Sequence, residues 1–261
     1  MKYFDTHAHY YDERFSEELS ESVDSLIDAL SSETLSYVVN IGTSPETSRQ
    51  AIEQAKRHKN MYTAVGIHPS DTRFLSDMEA ELSEIEKMLL DPDSRAVAIG
   101  EIGLDYHYPD TDKERQMRYF VAQMEMAQRL GMPVVIHDRE SHGDIMEVIR
   151  KFPNVKGILH SFSGSVEMAG ELVKLGYYIS FSGTLTFTNA KKPREVAATL
   201  PHDRVLIETD CPYLAPHPKR GTLNHSGNLV YTNAVLASIL GISEEECALL
   251  TEENGRRIFG I

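Results

Sequence analysis

Eight short runs rich in β-branched, aliphatic and aromatic residues recur along the chain, at residues 2–6, 35–41, 61–66, 95–100, 132–136, 155–159, 177–182 and 204–208, each followed by a longer amphipathic stretch. Strands joined by helix-length segments lie parallel, since an antiparallel neighbour needs only a tight turn whereas a parallel one needs a long crossover. The intervening periodicity predicts helices near 16–31, 45–58, 77–90, 111–130, 141–152, 165–175, 190–199 and 229–240, and a further one near 243–257. Thr43-Ser44-Pro45-Glu46 sets a serine cap before a proline at the first helical position, and Gly131 and Gly176 fall where left-handed residues end helices. Eight such units without a Pro/Gly-rich linker or a block of charge favour a closed TIM-type (β/α)8 barrel over an open doubly wound sheet. The 261 residues match the ~250 typical of that barrel, so a single domain spanning 1–261 is expected.

Composition narrows the function. A hydrophobic fraction of 41% and a charged fraction of 25% are ordinary globular values. No apolar run approaches the ~20 residues of a spanning helix, which argues against a membrane protein. The N-terminus opens directly into Lys2-Tyr3-Phe4-Asp5 without the apolar core of a secretory leader, and a cytoplasmic location is expected. Cys211 and Cys247 are too few and too distant for a disulfide framework or a thiolate zinc site, so reduced thiols are expected. The formal charge of −14 repels a polyanion at long range and argues against a protein that coats nucleic acid. It is compatible with an enzyme whose bound cations make one cleft locally positive.

The ends of the strand-like runs carry the chemistry. Asp5-Thr6-His7-Ala8-His9 ends the first, and strand alternation predicts that Asp5, His7 and His9 share one face with the two imidazoles close enough to chelate. Ala96-Val97-Ala98-Ile99-Gly100-Glu101 ends the fourth in a carboxylate. Pro133-Val134-Val135-Ile136-His137 and Gly157-Ile158-Leu159-His160 end the fifth and sixth in imidazoles, and Val205-Leu206-Ile207-Glu208-Thr209-Asp210 ends the eighth in two carboxylates. Any one of these taken alone is more simply a polar strand cap. Together, four imidazoles and two carboxylates at the C-terminal ends of five barrel strands form the nitrogen and oxygen donor set of a pair of borderline divalent cations.

Six ordered segments resemble the motifs of the TatD family of metal-dependent deoxyribonucleases: Phe4-Asp5-Thr6-His7-Ala8-His9, Val65-Gly66-Ile67-His68-Pro69, Ile99-Gly100-Glu101-Ile102-Gly103-Leu104-Asp105-Tyr106, Pro133-Val134-Val135-Ile136-His137, His160-Ser161-Phe162-Ser163-Gly164 and Glu208-Thr209-Asp210-Cys211-Pro212-Tyr213-Leu214. The likeness continues to Asn254-Gly255-Arg256-Arg257-Ile258-Phe259. It implies an amidohydrolase-superfamily barrel that hydrolyses DNA phosphodiester bonds, often from a 3′ end, with two divalent ions such as zinc, manganese, magnesium or cobalt. Carried over by motif, His7, His9, Glu101 and Asp210 would hold one ion, Glu101, His137 and His160 the second, with Glu101 bridging. Asp210 would also accept a proton from the attacking water.

Departures from the family pattern bear on the substrate. Ser70-Asp71 follows His68-Pro69 where many relatives carry another histidine, and His225-Ser226 follows Asn224 where Glu-Pro is usual. Both loops are expected to border the mouth. His68 is a further candidate, for a phosphate or as an acid; Arg139, Arg220 and Asn224 are candidates for phosphate oxygens, although loop arginines are most often simply solvated. Asp5 and Glu208, two residues before ligands, are candidates to hydrogen-bond them, and Asp105 either orients His107 or a substrate or merely makes a turn. Ser161 and Ser163 lack the Gly-x-Ser-x-Gly elbow, and neither a Walker loop nor a dinucleotide fingerprint is present. A phosphoesterase acting on DNA is therefore expected. The rival readings are an amide or carboxylic ester hydrolase, including deacylation of aminoacyl-tRNA, and a metal-holding barrel without turnover.

Overall fold

The computed structural model describes residues 1–261. Strands β1 (Tyr3–Ala8), β2 (Leu35–Ile41), β3 (Met61–Val65), β4 (Ala96–Asp105), β5 (Val134–Arg139), β6 (Gly157–Leu159), β7 (Tyr178–Phe181) and β8 (Val205–Ile207) pair in parallel, in chain order. The ring closes where the segment beyond β8 returns to β1. There the Asp210 N–H donates to the His7 carbonyl at 2.9 Å, the His9 N–H donates to Cys211 at 2.8 Å, and Ala8 bridges Cys211. Helices α1 (Glu13–Glu18), α2 (Val23–Glu33), α3 (Pro45–Arg57), α4 (Met78–Leu90), α5 (Lys113–Leu130), α6 (His142–Lys151), α7 (Val166–Lys174), α8 (Lys191–Thr199), α9 (Leu229–Leu240) and α10 (Glu244–Phe259) complete the chain.

Alternate strand residues divide the apolar core into two layers. Phe4, Val39, Ile41, Ala64, Ala98, Val135, Ile158 and Leu206 fill the inside of the barrel with Phe259 of α10, whose ring centroid is 5.9 Å from that of Phe4. The opposite faces, with Ile99, Ile102, Val134, Ile136, Leu159, Ile179, Val205 and Ile207, pack against the helices. The two-residue period of a strand sends neighbours to opposite sides, so both faces read as apolar.

Several helix ends follow their local chemistry. The Ser44 hydroxyl accepts the Thr47 N–H at 3.2 Å ahead of Pro45, and Gly131 ends α5 in the left-handed region. The expected helix over 16–31 is two helices. Leu19 is extended, and the Ser22 hydroxyl accepts the Ser25 N–H at 3.1 Å, so a serine inside the apparent period restarts the helix as a cap. Strands β4 and β5 run past the expected ends at 100 and 136, to Asp105 and Arg139. Both cysteines are free and buried. No helix is long and apolar enough to cross a membrane.

Candidate metal centre

Two irregularities aim the ligand candidates. On β4 the outer face carries Ile99 and then Ile102 and Leu104, and pairing to β5 shifts register between Ile99 and Ile102. The extra residue in that interval carries Glu101 to the inside, where it is 3% exposed. Gly103 makes the shift possible. It sits at φ 134° in the region that favours glycine, and a Cβ there would overlap the His137 carbonyl. On β1, pairing to β2 is irregular between Asp5 and Ala8. Simple alternation therefore fails there, because Phe4 lies in the inner layer while Asp5 turns to Thr209 and Ser226 and His7 and His9 reach the mouth.

Four imidazoles converge on Glu101, and Asp210 joins them through His7 and His9. Glu101 Oε2 lies 3.3 Å from His7 Nε2 and 3.7 Å from His9 Nε2, and its Oε1 lies 2.8 Å from His137 Nδ1 and 2.9 Å from His160 Nε2. Asp210 Oδ1 is 3.3 Å from His9 Nε2 and 3.6 Å from His7 Nε2, with its backbone at φ 57°. The carboxylate thus turns one oxygen to each pair of imidazoles.

The far nitrogens fix which near atoms carry lone pairs in the neutral rings. His9 Nδ1 donates to the Ile41 carbonyl at 2.7 Å, His137 Nε2 to Asp105 Oδ2 at 3.2 Å, and His160 Nδ1 to Glu208 Oε1 at 3.1 Å. Asp105 and Glu208 are in this way orienting partners. The lone pairs of His9 Nε2, His137 Nδ1 and His160 Nε2 then face carboxylate oxygens, and His7 Nε2 is 3.0 Å from His9 Nε2. Only shared protons or cations relieve such an arrangement. Nitrogen ligands ~2.0–2.1 Å from a tetrahedral cation lie roughly 3.3 Å apart, close to the spacings here. Residues of this donor type at these distances fit divalent metal ions.

Charge coupling is correspondingly strong. Burial alone would raise the Glu101 carboxyl, but the surrounding imidazoles, His160 foremost, hold it well below the usual carboxylate range. Burial would lower the His160 imidazole, yet Glu101 and Glu208 hold it well above its ordinary value.

A cleft of about 360 Å³ opens over the cluster between Thr43, Ser70, Asp71, Tyr108, Arg139 and Tyr213. A second lobe of about 440 Å³, lined by Ser161, Ser163 and Thr184, shares His137, Arg139, His160 and Asp210 with the first. His68 lies beyond β3, its Nδ1 accepting the Ser70 N–H at 3.1 Å and its Nε2 3.5 Å from Glu101 Oε1. It is close enough to form a donor group with Glu101 and His137. A ring whose Nδ1 accepts a backbone N–H carries its own proton on Nε2, which makes neutral His68 a donor toward the cleft.

Other expectations are corrected. Arg220 stacks on Phe187 at 4.5 Å, in the loop after β7, and lines neither lobe. Asn224 is buried and has no bond left for a phosphate. Its Nδ2 donates to Thr209 and Tyr213, and its Oδ1 accepts from the His225 N–H and from Asn228. Asp5 likewise spends its carboxylate on Thr209, Ser226 and the His7 backbone, tying β1 to the loop beyond β8. Of the two departing loops, Ser70-Asp71 lines the cleft, whereas Ser226 is buried beneath it against Asp5 and Tyr10. Tyr108 and Tyr213 were not singled out from sequence, although both follow strands whose ends carry candidates. Arg14 on α1 gave no signal.

The family described as TatD related DNase matches residues 4–260. The metal-dependent hydrolase YabD of Bacillus subtilis is 38% identical over 260 residues, covering 99% of each chain. The metal-dependent hydrolase TatD of Mycobacterium tuberculosis is 34% identical, covering 93% of this chain and 92% of its own. Among solved structures, YJJV, a TatD homologue from Escherichia coli, superposes with a TM-score of 0.90 at 28% identity, covering 99% of this chain and 98% of that one. A TatD-family hydrolase of Entamoeba histolytica shares the fold with a TM-score of 0.86 at 22% identity, covering 99% of this chain and 98% of its own.

Proposed function

This chain belongs to the TatD family of metal-dependent hydrolases, and on that premise we propose that it hydrolyses phosphodiester bonds of DNA, removing nucleotides from a 3′ end. The observation that carries this reading is the divided Glu101 carboxylate, one oxygen toward His7 and His9 and the other toward His137 and His160. His7, His9, Glu101 and Asp210 would hold one divalent ion in this reading and Glu101, His137 and His160 the second. When bound, such a pair polarises the phosphoryl group and acidifies an attacking water.

The remaining work falls to the chain's own groups. Asp210, at the junction of the two lobes, takes the proton of the attacking water. Arg139, which also lines both lobes, pairs with a non-bridging phosphate oxygen, and the His68 Nε2–H donates to another. Glu208 and Asp105 keep the His160 and His137 rings turned inward.

The test is a panel of zinc-, manganese-, magnesium- or cobalt-loaded protein against single-stranded DNA, RNA, a small phosphodiester and aminoacyl-tRNA, with elemental analysis of the same samples. The expected result is about two ions per chain and 3′-terminal cleavage of DNA. Hydrolysis of the aminoacyl ester with no phosphodiester cleavage would move the chain to carboxylic ester chemistry. One ion per chain under every metal would sink the bridged centre.

A further inference from the structure

On opposite rims of the cleft stand two exposed tyrosines, each beside a guanidinium. Tyr213, in the segment after β8, is 44% exposed, and Tyr108, after β4 across the barrel, is 48% exposed; both line the cleft over the cluster. A single half-exposed ring is ordinary, but two lining one cleft over the same cluster form a pattern.

Neither ring is loose. The Tyr213 hydroxyl donates to Asp12 Oδ2 at 2.6 Å, the Arg14 guanidinium lies 5.7 Å from its ring centre, and its centroid is 6.5 Å from that of His9. Arg14 is itself steered by Glu18 at 2.9 Å and by the Pro212 carbonyl at 3.4 Å. Tyr108 has the Arg139 guanidinium 5.7 Å from its ring centre and the His107 ring at 5.2 Å, with His107 anchored to Glu140 at 2.7 Å. Each platform is thus a ring with a guanidinium over one face, so a base would stack on the opposite face.

We propose that Tyr108 with Arg139 and Tyr213 with Arg14 form two base-stacking platforms that hold the unpaired nucleobases on either side of the scissile phosphate. This rests on the phosphodiester reading and assigns to it the residues that seat the terminal bases of an unpaired strand. A phosphate over Glu101 has its two nucleosides pointing away in opposite directions, toward the two rims. A planar base fits an aromatic face whatever its identity, and the guanidinium beside it meets the adjoining phosphate. A base held in a duplex cannot reach either ring, because leaving its stack costs unpairing. No hydrogen-bonding pattern on the platforms selects one base, so the preference is for unpaired over paired ends.

The test compares an oligodeoxynucleotide with its counterpart in which the last two nucleosides are abasic, on the metal-loaded wild type, Tyr108→Ala, Tyr213→Ala and the matching Trp variants. Loss of one platform is expected to raise KM for the natural strand roughly 5- to 100-fold with little change in kcat. Trp restores it, since any flat ring serves. On the abasic strand the wild type falls to the level of the alanine variants, which then match it. A 2-aminopurine placed at the 3′ end gives a readout independent of turnover: its emission is quenched on binding the wild type and unquenched on the alanine variant of the platform it occupies. Cleavage of both strands with KM unchanged by either alanine substitution, or raised equally on both strands, overturns the platforms and leaves the phosphodiester reading standing. No binding and no cleavage of either strand overturns both.

Discussion

Glu101 and Asp210 are both ligands in the proposed reading, but they are not equivalent. Glu101 divides its oxygens between two imidazole pairs, whereas Asp210 faces one pair and both lobes. Asp210→Asn keeps shape and part of the coordination while losing basicity, so turnover should fall ~10²-fold or more with the fold and metal content near wild type; wild-type turnover would remove it from the mechanism. His68 gives a second expectation. Burial foremost, with help from His137, brings its imidazole down to about 3 against the pull of Glu101, so the ring is neutral across pH 5–8 and donates through Nε2. Nitrogen-15 NMR should find the Nε2–H tautomer without titration in that range, and His68→Ala should lower activity roughly 10- to 100-fold while leaving metal content intact. The inward imidazoles and carboxylates were legible because each follows an apolar run at a barrel-strand end. Asn224 and Arg220 were not, because the sequence shows a polar residue in a loop but not whether a neighbour already engages it. Asn224 is consumed by four such bonds.

At the level of elements, periodicity revealed all eight strands, while the register shifts that aim the site were hidden in it. The interval between Ile99 and Ile102 on β4 looks like ordinary strand, yet its extra residue brings Glu101 inside. The glycine that permits this yields a prediction. Gly103→Ala meets both a φ of 134° and the His137 carbonyl, so it should destabilise the fold by about 1–3 kcal/mol and displace His137. Denaturant midpoints should fall, and elemental analysis should show metal content dropping toward one ion per chain. Phe259→Ala is the contrast. It empties the barrel floor beneath Phe4, far from the mouth, and should cost about 3 kcal/mol with both ions retained. Equal metal loss from the two variants would mean that Gly103 acts only through global stability. The broken helix at 19–22 was unreadable for a different reason, since a serine cap and a serine on a solvent face are the same letter until the chain around it is known.

For the whole molecule the governing quantity is a formal charge of −14, spread over a barrel whose cleft is lined by a single arginine, Arg139, with Arg14 behind Tyr213. A protein that tracks DNA along an extended basic groove releases many counterions, and its affinity falls steeply with salt. The cleft lining, with Arg139 its one arginine, offers no such groove. Two guanidinium contacts to a single strand would give a slope of log affinity against log salt no steeper than roughly −1.4, and the distant carboxylates, whose repulsion salt screens, pull it toward zero. Binding of a single-stranded oligonucleotide to the metal-loaded protein, measured by anisotropy from low to moderate potassium chloride, should therefore be nearly flat. It should also be insensitive to added length once the terminal nucleotides are present, because the additional phosphates meet only repulsion. A circular single strand, which has no end to enter the cleft, should be cut far more slowly than its linear form. A slope of about −4 or steeper, or affinity that keeps rising with length, would reveal a cationic track outside the cleft; equal cutting of circle and line would make the activity endonucleolytic.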